Sequence, residues 1–496
     1  MAHVFVINEP FVDDFCRTQR WAARTRGRVL RAPDWLAYVT AVLEQRRHDV
    51  RLFDFPARNW GKQELKELLE REKPAWVVYD ATTPSIYSDI ECAQIAKDAC
   101  GAKVIMVGPH CSSQPEEVLR DAKGAVDVVC LGEYDYTVGD VIEAGGPSLQ
   151  IPGIAYLDHQ LSPAGIFRST GQRPSIEDLD AVPFPAWHHL DLMDYFDGTK
   201  LYPYIDKISG RGCPFQCTFC VWPQVMHGHR VRLRSPGNVV DEIERDIGLC
   251  PPVVKGGEFF FEDDTFTLNQ EHAISICEEV MRRKLKIRFS VNARVDCGSP
   301  ALFKALKAAG CRELLVGFES GDDEVLRRMK KAANVTMARE FMHHVHDAGL
   351  DVHGCFVLGS PGETEHTMQK TIDFALGLGL NTLQFSCAAP YPGTRYFKEV
   401  EKGGLLRSKN WEDWLGKDGE QGGVVDYPGL DAETVEKYVD QGLRRFYFRP
   451  QQVARFLLNT ETKADLYRKL RGMWNFGTYL VHEKWSSVAG ASGTRG

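Results

Sequence analysis

The alternation of short apolar segments with longer amphipathic segments is the feature that most constrains the fold of this chain. In residues 1–145 it predicts buried strands at Val4–Asn8, Val50–Phe55, Ala75–Tyr79, Lys103–Val107 and Val126–Leu131, with helices between them. Alternating strands and helices are typical of a doubly wound parallel α/β sheet, whose ligands lie at the carboxyl ends of the strands. We therefore predict a Rossmann-like N-terminal domain over residues 1–145.

The same alternation returns in residues 201–400. Strands are predicted at Tyr204–Ile208, Glu258–Phe261, Arg288–Asn292, Glu313–Phe318, Asp351–Leu358 and Asn381–Ala388. Six strand–helix units predict a partial (β/α)6 barrel of the TIM type. Residues 146–200 are predicted to be a connector with one short hairpin. Residues 401–496 are predicted to be helical, with helices at Val435–Phe448 and Ala464–Met473.

Composition limits the class of protein. The 496 residues are 43% hydrophobic and 26% charged, as in ordinary globular proteins, and the net charge is -8. Nucleic-acid binding requires a basic domain and is not expected. The longest uncharged run, Phe374–Thr394, contains two prolines and several polar residues, so no membrane span is expected. The N-terminus lacks a basic region and a cleavage site, which favours a cytoplasmic location.

Three of the fourteen cysteines form a compact motif. Cys213, Cys217 and Cys220 have the spacing C-x3-C-x2-C and directly follow the first predicted barrel strand. Three thiolates on one loop can hold three irons of a [4Fe-4S] cluster and leave the fourth iron open for a reaction. The alternative is a zinc site completed by His227 or His229, although zinc ligands usually come in symmetric pairs.

The cysteine motif and the order of the strand-end motifs over residues 150–400 resemble the radical SAM superfamily. The resemblance implies that the open iron binds the amino and carboxylate groups of S-adenosylmethionine (SAM). One electron from a flavodoxin or ferredoxin would cleave SAM to a 5′-deoxyadenosyl radical. That radical would abstract hydrogen from an unactivated carbon of a small polar substrate.

The resemblance also assigns residues to SAM. Phe219 would lie near the adenine, Asp263 would face the SAM amino group, and Glu319 would accept the ribose hydroxyls. The remaining predicted SAM-binding residues are Ser290, Asn292 and Arg294 at the end of the third strand and Val357 in the fifth. The pair Asp263–Asp264 also fits helix-capping aspartates.

The N-terminal domain resembles that of the cobalamin-binding branch of this superfamily at Val107–His110 and Gly132–Tyr134. The motif Asp-x-His-x-x-Gly, which supplies a lower histidine ligand, is missing. Bulky residues at the strand ends, among them Glu9 and Asp80, argue against a bound corrin, because close backbone approach favours glycine. The sequence leaves open whether the domain binds cobalamin or only keeps the fold.

Three functions remain open from the sequence. The first is dehydration of a 1,2-diol on an amino sugar or aminocyclitol, by similarity to the sugar diol-dehydrating enzymes of aminoglycoside deoxygenation. It requires a base and an acid, for which the candidates are Glu319, Asp296, His353 and Tyr391. A separate nicotinamide-dependent reductase would then act on the carbonyl product. The second is cobalamin-dependent C-methylation, and the third is a zinc-stabilised binding protein without catalysis.

Overall fold

The computed structural model describes residues 1–18, 22–25, 27–160, 162–416, 419–452, 466 and 469–472. The strands of the described part are β1 (His3–Asn8), β2 (Phe15–Cys16), β3 (Ala23–Arg24), β4 (Asp49–Asp54), β5 (Trp76–Asp80), β6 (Lys103–Val107), β7 (Val128–Cys130), β8 (Ile154–Asp158), β9 (Ile166–Ser169), β10 (Tyr204–Lys207), β11 (Gly210–Arg211), β12 (Arg232–Leu233), β13 (Glu258–Phe261), β14 (Phe289–Ala293), β15 (Cys311–Glu319), β16 (Asp351–Leu358) and β17 (Thr382–Cys387). The α-helices there are α1 (Asp34–Gln45), α2 (Phe55–Arg58), α3 (Lys62–Glu72), α4 (Ile86–Cys100), α5 (Pro109–Ser113), α6 (Pro115–Asp121), α7 (Asp135–Glu143), α8 (Pro236–Leu249), α9 (Gln270–Arg282), α10 (Pro300–Ala309), α11 (Asp323–Arg328), α12 (Val335–Asp347), α13 (Glu365–Gly377), α14 (Arg395–Lys402) and α15 (Ala432–Tyr447). Across these residues no helix is long and apolar enough to cross a bilayer.

The first sheet has seven strands in the order β4-β1-β5-β6-β7-β8-β9. Its first five strands are parallel, as the sequence predicts. Their order places the point where the winding reverses between β1 and β5, and ligands of doubly wound sheets bind in that crevice. Strands β8 and β9 are the predicted hairpin, and they extend this sheet with antiparallel pairing. The segment predicted to be a connector therefore also closes one edge of the sheet.

The second sheet has six parallel strands in chain order, β10-β13-β14-β15-β16-β17, which confirms the partial (β/α)6 barrel. Polar side chains begin the helices that cover it. Ser235 accepts a hydrogen bond from the Asn238 N–H at the start of α8, and Ser299 accepts one from the Leu302 N–H at the start of α10. Such caps satisfy backbone donors that have no partner inside the helix.

Buried ion pairs join the two sheets. Arg211, on β11, donates two hydrogen bonds of 2.8 Å to Asp135, which begins α7 behind β7. Arg232 makes an equivalent pair with Glu133, and both pairs are almost fully buried. Trp35 of α1 lies 4.9 Å below the Arg211 guanidinium. These contacts hold the carboxyl edge of the first sheet against the segment that carries the three cysteines.

The described part of the C-terminal region closes over this junction. It contains α14, a 3-10 turn at Trp411–Trp414, and α15, which confirms the helix predicted at Val435–Phe448. Trp411 donates a hydrogen bond of 2.7 Å from its indole to Glu117 of α6, in the N-terminal domain. The helix predicted at Ala464–Met473 lies largely outside the described residues.

Candidate functional site

The cysteine loop begins at Gly212, immediately after β11. Gly212 has φ +92°, and a Cβ at this position would lie 2.2 Å from the carbonyl oxygen of Arg230, so the tight turn requires glycine. The Gln224 amide donates hydrogen bonds to the carbonyl oxygens of Cys217 (3.1 Å), Thr218 (3.3 Å) and Cys220 (2.8 Å). One side chain thus organises the loop between the second and third cysteines. Cys213 and Cys217 are buried, whereas Cys220 is half-buried.

The spacing of the thiols separates a cluster from a zinc ion. Among the described residues, the only histidine, cysteine or acidic side chains with three ligand atoms within 4.8 Å of one another are Glu44, His188 and His189. At least one pair of the three cysteine sulfurs is therefore more than 4.8 Å apart, beyond the roughly 3.8 Å expected around one tetrahedral zinc, whose Zn–S bonds are about 2.3 Å. Sulfurs on separate irons of a cluster are spread in this way. The loop fits a [4Fe-4S] cluster better than a mononuclear zinc site.

Neither histidine of the zinc alternative faces the thiols as a fourth ligand. His229 Nδ1 lies 3.0 Å from the Cys213 carbonyl oxygen, and His227 Nδ1 lies 3.4 Å from Asp264. The group of Glu44, His188 and His189 is explained by hydrogen bonds. His189 Nδ1 accepts from the Leu52 N–H, so its Nε2–H donates to Glu44 at 2.9 Å. This group ties the connector to α1.

Arg294 lies directly beside the cysteine loop. Its Nη1 donates to the Cys217 sulfur at 3.5 Å, and its guanidinium carbon lies 3.5 Å from the centre of the Phe215 ring. Its remaining contacts are a bidentate pair with Asp296, at 2.9 and 2.8 Å, and a hydrogen bond to the Lys331 carbonyl oxygen. Arg294 thus contacts Cys217, Asp296 and Lys331 at once, and its role in binding SAM stays a prediction.

Glu319 ends β15 in an unusual conformation. Its φ is +63°, and the register of β15 against β16 shifts at this point. Lys331 Nζ donates to Glu319 Oε1 at 2.6 Å, and both side chains are almost fully buried. Sequence analysis missed Lys331, because nothing in the local pattern distinguishes a buried lysine from the exposed Lys330 beside it. Lys331 joins Glu319 to Arg294 through its own backbone carbonyl.

Asp263 and Asn292 also meet at the carboxyl edge of the barrel. The Asp263 carboxylate accepts hydrogen bonds from the backbone N–H (3.0 Å) and the hydroxyl (2.6 Å) of Ser209. Asn292 donates to the Asp263 carbonyl oxygen at 3.1 Å. Burial raises the pKa of Asp263 to about 7. Asp263 caps no helix, since α9 is capped by Asn269.

Two other predicted residues, Ser290 and His353, lie away from this carboxyl edge. Ser290 donates to Glu258 at the amino end of β13, and His353 lies near the amino end of β16, 2.8 Å from the Thr382 hydroxyl. Burial lowers the pKa of His353 to about 4, so it is neutral at pH 7. Tyr391 is buried and donates to Gln421 at 3.1 Å. The last two residues are half-buried Phe219, on the cysteine loop, and Val357, buried within β16.

A second polar group lies at the reversal point of the first sheet. Arg17 bonds Asp89 at 2.8 Å and lies 3.8 Å from Glu9, with all three side chains buried. Among the described residues, both carboxylate oxygens of Glu9, Asp80 Oδ1 and His110 Nε2 are buried without a hydrogen-bond partner. Burial raises the pKa of Asp80 to about 7 and lowers that of His110 to about 3. Unsatisfied buried polar atoms are costly and rare in proteins, and they often mark a functional site.

Gly108 faces this group. Its φ is +104°, and a Cβ there would lie 2.3 Å from Asp80 Oδ1 and 2.6 Å from the Ala81 carbonyl oxygen. The Gly108 backbone therefore packs directly against Asp80 and Ala81, and only glycine fits there. The buried oxygens and the imidazole nitrogen without hydrogen-bond partners fit a ligand with amide groups on its rim, which a corrin has.

Comparisons with known proteins agree with this architecture. Residues 208–375 match the radical SAM superfamily model, and residues 32–142 match the B12 binding domain model. The chain is similar to an uncharacterised methyltransferase of Pyrococcus horikoshii, with 29% identity over 84% of this chain and 88% of the relative.

Two solved structures share the fold. The radical SAM methyltransferase TsrM of Kitasatospora setae, with cobalamin and a [4Fe-4S] cluster bound, superposes with a TM-score of 0.69 at 17% identity, over 97% of this chain and 100% of TsrM. The cobalamin-dependent radical SAM enzyme OxsB superposes with a TM-score of 0.69 at 14% identity, over 99% of this chain and 80% of OxsB. At these identities the likeness concerns the fold alone. The chain thus carries a radical SAM domain at residues 208–375 and an N-terminal B12-binding domain at residues 32–142.

Proposed function

We propose that the protein is a cobalamin-dependent radical SAM methyltransferase that acts on carbon in a small polar molecule. The observation that carries the proposal is the group of buried polar atoms without hydrogen-bond partners at the reversal point of the first sheet, namely those of Glu9, Asp80 and His110. Asp80 and His110 lie within residues 32–142, which match the B12 binding domain, and Glu9 precedes that segment. The Pyrococcus relative and TsrM, both named as methyltransferases, favour methyl transfer.

The proposal assigns the cofactors to residues of both domains. Cys213, Cys217 and Cys220 would hold the [4Fe-4S] cluster, while Asp263 after β13 and Glu319 at the end of β15 would contact SAM. When bound, these groups supply a carbon-centred radical and a methyl donor, and the electron would come from a flavodoxin or ferredoxin. The protein binds and orients the substrate and keeps water away from the radical.

Diol dehydration is less well supported by the positions of its predicted acid and base. Asp296 is held by Arg294, and Glu319 by Lys331. The Tyr391 hydroxyl donates a hydrogen bond to Gln421, and His353 lies near the amino end of its strand. A dehydration needs a base and an acid that can reach the reacting hydroxyls, and each of these candidates is already engaged or distant.

Anaerobic titration with hydroxocobalamin tests the proposal without a known substrate. The protein, reconstituted with iron and sulfide, should retain about one cobalamin per chain through gel filtration. His110→Leu should weaken retention of the corrin and keep the cluster, because it removes the buried imidazole nitrogen that the proposal places against the corrin. His353→Leu is the matched control: His353 is also a buried histidine, but it lies near the amino end of β16 in the barrel. A brown wild-type protein that cleaves SAM and excludes cobalamin contradicts the proposal.

A second readout addresses the reaction itself. With a low-potential chemical reductant and SAM labelled at its methyl group, the methyltransferase should form unlabelled S-adenosylhomocysteine, and the label should be found in the protein-bound cobalamin fraction. The enzyme is also incubated with a panel of amino sugars. A product that has lost water relative to its substrate would contradict methyl transfer and support diol dehydration.

A further inference from the structure

We propose that Arg294 is a positioning residue that sets the reduction potential of the [4Fe-4S] cluster through the Cys217 sulfur. The inference rests on the cluster assignment and not on which reaction the enzyme performs. Arg294 was predicted to bind SAM, and in the structure it also contacts the Cys217 sulfur.

The first step is the contact itself. Arg294 Nη1 donates to the Cys217 sulfur at 3.5 Å, across 77 residues of sequence. Hydrogen bonds and positive charge beside a cluster thiolate stabilise the reduced, more negative cluster and raise its potential. Both partners are buried, with Arg294 5% and Cys217 8% exposed, so the interaction is weakly screened by water.

The second step is the rigidity of the guanidinium. Asp296 binds its Nε and Nη2 as a fork, the Lys331 carbonyl oxygen accepts another Nη2 hydrogen, and Phe215 covers one face at 3.5 Å. A planar guanidinium with five donors suits such a set of partners, whereas lysine would satisfy only part of it. These contacts fix which nitrogen points at the sulfur.

The third step is the opposite sign of the two charges. Arg294 brings a positive charge to the cluster, while Asp296 brings a negative charge to the side of the guanidinium away from Cys217. Removing each charge in turn should therefore shift the potential in opposite directions. A purely structural role predicts no such pairing, because both changes would only loosen the loop.

The test is an EPR-monitored reductive titration of the reconstituted full-length protein without SAM, in which a chemical reductant delivers one electron to each cluster. Arg294→Gln should give a lower midpoint potential than wild type, and Asp296→Asn a higher one. Arg283→Gln is the control for net charge. Arg283 pairs with Asp241, Glu244 and Glu279 on α8 and α9, and its loss should leave the potential unchanged.

Iron and sulfide content are measured on every variant, so that loss of the cluster is seen directly. A wild-type protein without a cluster would refute the cluster assignment. An unchanged potential in Arg294→Gln with full iron content would overturn the inference. If Arg294→Gln cannot hold the cluster, Asp296→Asn decides: a raised potential supports the inference, and an unchanged or lowered one overturns it.

Discussion

At the scale of single residues, burial decides the chemistry of the groups at the candidate cobalamin site. Asp80, at the end of β5, and His110, at the start of α5, are both nearly inaccessible to solvent. Desolvation disfavours the charged form of each, which raises the pKa of the carboxyl group and lowers that of the imidazole. Both residues are visible in the sequence, but their protonation states follow only from the packing around them.

Asp80 gives a pH dependence with a definite sign. Its pKa is about 7 when folded and near 4 when unfolded, so the stabilisation that it gives is full below about pH 4 and is lost as pH rises through 7. Between pH 5 and 7, Asp80→Asn should gain stability relative to wild type by about 1.4 kcal/mol per pH unit. Thermal unfolding of both proteins without cobalamin, at several pH values, measures this. A difference that does not change with pH would contradict the burial argument.

At the scale of elements, short segments from distant parts of the sequence meet around the cysteine loop. The backbone N–H of Thr218 donates to the Met329 carbonyl oxygen, and that of Tyr396 donates to the Thr218 carbonyl oxygen. The loop is therefore held by the ends of α11 and the start of α14. The motif C-x3-C-x2-C predicts the ligands, but these supports come from the strand order of the barrel sheet, which brings the carboxyl ends of β10, β15 and β17 to one side.

The link between β15 and the segment after α11 is the pair Glu319–Lys331. Lys331→Met should destabilise the protein by about 3 kcal/mol, because it leaves Glu319 buried at positive φ without its cation. The double variant Lys331→Met with Glu319→Gln should recover much of that loss, since no buried charge then remains unpaired. Urea unfolding of the four proteins completes the double-mutant cycle. Strict additivity of the two single changes would show that the pair is not coupled.

At the scale of the whole molecule, buried charge fixes how the two domains face each other. Arg211 and Asp135 form a bidentate pair between the cysteine-bearing hairpin and α7. The Arg211 guanidinium lowers the pKa of Asp135, so this carboxyl group stays charged at neutral pH. The pair aligns the reversal point of the first sheet with the carboxyl edge of the barrel.

Arg211→Met should therefore cost about 3–5 kcal/mol, because Asp135 loses its partner inside the interface. It should also separate the unfolding of the two domains into two transitions in calorimetry. Arg230→Met is a suitable control, since Arg230 lies close by but its pair with Glu177 is exposed and should contribute below about 1 kcal/mol. A single transition with an unchanged midpoint in Arg211→Met would argue against this role for the pair.

The sequence by itself determined the two α/β domains and the three-cysteine motif that predicts the cluster ligands, because hydrophobic periodicity and a fixed cysteine spacing are local properties. It also pointed to Glu319, Asp263 and Arg294 through the order of the strand ends. Only the tertiary structure decided what those side chains do. In the structure Arg294 donates hydrogen bonds to Cys217 and Asp296, and Lys331 pairs with Glu319. His353 and Ser290 lie near the amino ends of their strands. The physical reason is that a side chain's partners depend on contacts between residues far apart in the chain, and those contacts set its charge, hydrogen bonds and burial together.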